Sequence, residues 1–104
     1  MAESFTLTST IWLWKPPAGD GKNRGSWHFL TIDGQTAAEI GFAALGRTAG
    51  FGSIKVEARI GGTAWSTSIF PQRASGGFIL PLKADVRKRE AIGEGDTVVV
   101  TLTI

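Results

Sequence analysis

Lys55, Arg59, Ser66, Ser68 and Arg73 crowd into the middle of this 104-residue chain. Ammonium and guanidinium groups make charge-assisted hydrogen bonds, and hydroxyls complete the shell around an oxyanion, so the set suits a carboxylate or phosphate on a small polar ligand or a protein partner. A second group, Lys83, Arg87, Lys88 and Arg89, has the spacing of a helix surface and would serve nucleic-acid phosphates. His28 with Ser66 or Ser68 and an aspartate supplies the residue types of a nucleophilic triad. No nucleophile-elbow motif accompanies them, so hydrolysis is the least expected activity and no catalytic residue is assigned.

The first set depends on a hairpin. Two strand-like runs between Ile54 and Pro71 meet at Gly61-Gly62, where two glycines supply the positive φ angles of a tight turn. A two-residue turn places Ile60 opposite Thr63, Ala58 opposite Trp65, Val56 opposite Thr67 and Ile54 opposite Ile69. It also sets Arg59, Glu57 and Lys55 against Ala64, Ser66 and Ser68 on the other face. One face is then apolar, with Trp65 in the core, and the other is charged and hydroxylic.

The bulk properties bound the answer. The length fits one domain spanning residues 1–104. Fourteen glycines favour a turn-rich β fold. Without cysteine and with one histidine, disulfides and thiolate sites are excluded and an ordinary zinc site is improbable; no metal or cofactor is expected. No leader-like or bilayer-length apolar run is evident, so a cytoplasmic location is expected, with no membrane partner. A net charge of +2 and a pI near 9.4 permit anion binding but fall short of a dedicated nucleic-acid footprint.

Along the chain, Phe5, Leu7, Ile11 and Leu13 alternate with threonines as in one half-buried strand, Phe5 to Leu13. Trp12 and Trp14 fall on the threonine face, where they either pack or line a groove. Lys15 to Gly25 has the composition of a mildly basic loop. Ser26 to Ile32 reads as a strand with two apolar faces, and Asp33 as the N-cap of a helix over Thr36 to Leu45. The glycine-rich run Gly46 to Ser53 leaves a helix and enters a strand, the wrong order for a phosphate loop. Phe78 to Leu80 forms a short strand stopped by Pro81. Leu82 to Ile92 forms a helix with Val86 inward and Lys83, Arg87, Lys88 and Arg89 outward, and Thr97 to Ile104 closes the chain as a strand. Trp27 to Ile60 and Phe78 to Ile104 thus share one order of elements, a weak internal duplication.

The run Thr63-Ala64-Trp65-Ser66-Thr67-Ser68-Ile69-Phe70-Pro71, followed by Gly77-Phe78-Ile79-Leu80-Pro81-Leu82-Lys83, Val86-Arg87-Lys88 and Gly95-Asp96, resembles the prokaryotic family called domain of unknown function 1905. Trp27-His28-Phe29 is similar to that family's early tryptophan motif. The resemblance implies a mostly β double-split β-barrel, a pseudobarrel of six or seven strands with two short helices, related in fold to swapped-hairpin transcription factors and antitoxins. It implies no activity. Asp33 stands where members commonly carry proline, and Glu90 and Ala91 replace the apolar residue and glycine that usually end the second helix, which would let that helix run longer or present a more charged end.

The expected function is a small binding or interaction module, monomeric or weakly dimeric, using the hydroxylic hairpin face. The alternative is a swapped-hairpin nucleic-acid binder using the second helix.

Overall fold

A computed structural model describes residues 3–15, 27–46, 52–72, 74 and 76–104. Seven strands and two helices occur among them, in the order β1 (Ser4–Thr10), β2 (Trp12–Trp14), β3 (Trp27–Ile32), α1 (Gly34–Ala43), β4 (Ile54–Ile60), β5 (Thr63–Gln72), β6 (Gly77–Leu82), α2 (Ala84–Glu90) and β7 (Thr97–Thr103). The strands form one curled antiparallel sheet, a half-barrel ordered β1-β7-β4-β5-β6-β3-β2. Arg73, most of the Lys15 to Gly25 loop and residues 47–51 of the glycine-rich connector lie outside the described residues.

The β4–β5 hairpin has the register that its alternation dictates, from Ile60↔Thr63 through Ala58↔Trp65 and Glu57↔Ser66 to Ile54↔Ile69. Ile54, Val56, Ala58 and Ile60 are buried while Lys55, Glu57 and Arg59 are exposed. Of the two turn glycines, only Gly61 takes positive φ, at 57°. That is the pattern of a type II′ turn, which requires glycine only at its first central position.

Four elements differ from the sequence expectation. The strand expected from Phe5 to Leu13 is broken at Ile11, which is 1% exposed. Its N–H donates to the Asp96 carbonyl at 2.9 Å and its carbonyl accepts from the Gly95 N–H at 2.8 Å. The turn before β7 thereby satisfies the buried backbone. The chain switches there from β7, the partner of β1, to β3, the partner of β2. These edge strands are consecutive in sequence, so this step draws the sheet's two ends together, and the Ser9 hydroxyl donates to the Thr31 carbonyl across the gap at 3.0 Å.

The sixth strand continues through Pro81, which pairs with Phe29. The ladder to β5 has already ended at Phe70↔Ile79, leaving one side of β6 without a strand partner, where a missing N–H is tolerated. Leu82 is therefore a buried strand residue, and α2 begins only at Ala84. The second helix also stops at Glu90 instead of reaching Ile92, because Ala91 turns into the left-handed region. In α1, Asp33 occupies the N-cap position, but its carboxylate makes no capping hydrogen bond.

The core joins Leu30, Ile32, Leu80 and Leu82 to Ile54, Val56, Ile69, Val100 and Leu102, with Ala37 and Ile40 of α1 and Ala44 at its C-cap laid over them. The repeated plan is visible in the pairing: β3-α1-β4 and β6-α2-β7 place equivalent strands together, β3 on β6 and β4 on β7, both antiparallel. No helix among the described residues is long and apolar enough to cross a membrane.

Candidate binding groove

Strand alternation positions the site. Successive side chains point to opposite faces, so Ser66, Ser68 and Phe70 of β5 share its outer face at steps of roughly 7 Å, while Thr67 and Ile69 turn to the other. Between Ile69 and Phe70 this strand exchanges partners, from β4 to β6. Phe70 therefore belongs to the surface of the second half of the sheet and the serines to that of the first.

Around the serines, a groove of about 740 Å³ is lined by Lys55, Glu57, Ser66, Ser68 and Lys83, with Phe70, Trp27 and Pro81 at its far side. Two cationic side chains and one carboxylate side chain line it with the hydroxyls. Lys83, the residue before α2, reaches this groove because Pro81 carries β6 past the point where β5 diverges. Arg59, two positions beyond Glu57 on β4, lies towards the hairpin turn and does not line it. Thus Lys55, Ser66 and Ser68 come together as the hairpin register requires, Arg59 does not join them, and Lys83 from the second basic set does.

A second cleft, of about 430 Å³, adjoins the first and shares Trp27, Phe70 and Pro81 with it. Trp14, Phe29 and Ile79 complete its walls. Register explains this composition: Trp14 pairs with Trp27, Trp12 with Phe29, Phe29 with Pro81, and Ile79 with Phe70. Trp12 is held by its indole N–H, which donates to the Thr31 hydroxyl at 2.8 Å, and packs on Phe29 with centroids 5.1 Å apart. Trp27 stacks on Phe29 at 6.4 Å with planes 10° apart. Trp14, Trp27 and Phe70 remain 45%, 56% and 40% exposed. Trp12 packs while Trp14 lines a cleft, so the two tryptophans take the two different fates open to them. The apolar residues on both faces of β3 were the sequence signal for this surface.

The other basic residues do not form one patch. Arg89 pairs with Asp85 at 3.3 Å on the exposed side of α2, whereas Arg87 is half-buried, its buried Nε without a hydrogen-bond partner among the described residues. Lys88 is exposed. His28 points to the inner face with Leu30 and Ile32, its Nδ1 buried and without a hydrogen-bond partner among the described residues. Desolvation, followed by the Arg87 guanidinium and opposed by Glu94, lowers its pKa below the ordinary 6.5. No hydrogen bond among the described residues joins His28 to either serine, and the triad geometry is not assembled.

The family described as Domain of unknown function (DUF1905) matches residues 8–102 of the chain. No curated protein matches it.

Proposed function

From the premise that the chain belongs to the DUF1905 family, whose description assigns no activity, we propose that the protein is a binding module for a small anionic ligand held in the groove of Lys55, Ser66, Ser68 and Lys83. The observation that supports this reading is that two lysines from distant parts of the chain line one groove with two serines of β5. A carboxylate or phosphate there accepts hydroxyl hydrogen bonds and is attracted by two ammonium groups. Glu57, opposite Ser66, disfavours a second negative group at the hairpin side and orients the anion towards Lys83. The groove's size is within the roughly 300–1,000 Å³ typical of small-ligand sites. We take the setting to be cytoplasmic and prokaryotic, with the protein acting as one domain, monomeric or weakly dimeric.

Calorimetric titration with phenyl phosphate tests the reading. Saturable binding is expected, weakened about tenfold or more in Lys83→Gln and in the Ser66→Ala/Ser68→Ala double variant, in line with the loss of a charge-assisted hydrogen bond. Binding unchanged in both variants would overturn it.

A further inference from the structure

We infer that the ligand of this groove carries a flat aromatic ring, which the neighbouring cleft of Trp14, Trp27, Phe29, Phe70, Ile79 and Pro81 receives while the anionic group rests on the serines and lysines. The inference builds on the anion-binding reading above and adds the chemical class of the remainder of the ligand.

The first support is continuity. Trp27, Phe70 and Pro81 wall both cavities, so a ring in one and an oxyanion in the other are compatible with one short molecule. On β5 the step from Ser68 to Phe70 is two residues, roughly 7 Å, about the reach from a phosphate to the middle of an attached bicyclic ring.

A second support is shape. Trp27 and Phe29 lie nearly parallel, and Trp12 buttresses Phe29 from β2 at a tilt of 37°, so a row of three packed rings, its outer pair stacked, exists before any ligand arrives. Trp27 ends the row and is the most exposed of the cleft's aromatics. A further planar ring extends that row by offset stacking, an interaction that an alkyl chain of similar apolar area does not make. Trp14 and Trp27 both sit on strands, and a tryptophan has only two side-chain torsions to lose on binding.

A solvated sheet face is ordinarily polar, whereas here the outer face of β2, β3, β6 and the end of β5 is mostly apolar. Exposed apolar surface of this kind marks interaction sites. The lysines at its border distinguish an aryl anion from a neutral apolar partner.

The test compares 1-naphthyl phosphate, octyl phosphate and 1-naphthol by calorimetry against the wild type, Trp27→Ala, Trp27→Phe and Lys83→Gln. The naphthyl ester should bind about threefold to tenfold tighter than the octyl ester, the difference expected when stacking adds to burial. Trp27→Phe should keep most of that preference and Trp27→Ala should erase it, with unchanged far-ultraviolet dichroism showing that the fold survives. Octyl phosphate binding as tightly as the naphthyl ester, or a preference untouched by Trp27→Ala, would overturn the inference. Failure of the anion reading looks different: 1-naphthol would bind as well as its phosphate, and Lys83→Gln would change nothing.

Discussion

The Thr63 hydroxyl donates a hydrogen bond to the Glu90 carboxylate at 2.6 Å, tying the first residue after the hairpin turn to the last residue of α2. Thr63 is 8% exposed, so its hydroxyl has little access to water and the carboxylate is its replacement. Gly61 belongs to the same contact, because a Cβ there would collide with Glu90 Oε1. Glu90 therefore does not lengthen the helix, which ends with it. It latches α2 to the hairpin that carries the serine face.

Breaking the latch gives a first prediction. Removing one partner leaves the other unsatisfied, so Thr63→Val and Glu90→Ala should each cost about 1–3 kcal/mol in urea unfolding, and the double variant less than their sum. Additive losses would show that the two side chains are energetically independent.

Gly61→Ala should be worse than a backbone effect alone. An alanine at positive φ costs roughly 1–2 kcal/mol, and the displaced Glu90 adds the loss of its bond to Thr63. Combining Gly61→Ala with Glu90→Ala should cost little more than Gly61→Ala alone, because the bond to Thr63 is already lost; a double variant as unstable as the sum would contradict the contact.

Ala91 supplies the opposite expectation. It closes α2 at φ 55° and ψ 47°, a conformation in which its Cβ is strained. Ala91→Gly should therefore stabilise the protein by about 0.5–1 kcal/mol at the urea midpoint, the difference usual for a left-handed C-terminal position. A loss of stability would mean that the unfolded chain's greater freedom outweighs the relief.

Stability should also depend on pH through His28. Its folded pKa lies below the ordinary 6.5, chiefly through desolvation and then through Arg87, against the opposing Glu94. Between the folded value and 6.5 the unfolded chain binds a proton that the native state does not, so stability should fall as the pH drops below 6.5 and level off beneath the folded value. Unfolding curves for wild type and His28→Gln check this: the variant should lose that segment of the pH dependence. Equal slopes in the two proteins would contradict it.

Much of the fold was legible in the sequence because its elements alternate cleanly. Lys55 to Arg59 and Ala64 to Ser68 interleave polar and apolar residues around a two-residue turn, and a slip of one would have buried the lysine and exposed the isoleucines. Trp65 consequently packs against the core, although it is only partly buried. The break at Ile11 was not legible, because the alternation from Phe5 to Leu13 continues unchanged through it and only the change of partner, a long-range event, marks it. Pro81 misled for a related reason: proline ends a strand only where both sides need a ladder, and local sequence does not report that β5 has left.

The site was half legible. Ser66, Ser68 and Lys55 follow from register alone. The aromatic cleft does not, since Trp14, Trp27, Phe70 and Pro81 come from four strands whose order in the sheet is set by the fold. Lys83 was grouped with Arg87, Lys88 and Arg89 by sequence proximity, but it sits at the N-cap of α2 and lines the groove, which those three do not.

The most direct test of the anion-binding account is an amide and indole chemical-shift map of the protein titrated with phenyl phosphate and, separately, with duplex DNA. The account predicts saturable shifts from phenyl phosphate at Lys55, Ser66, Ser68, Phe70 and Lys83 and at the Trp27 indole, with α2 beyond Lys83 unmoved. Shifts confined to Arg87, Lys88 and Arg89, appearing with DNA and collapsing as salt rises, would contradict it and assign the function to the helix instead.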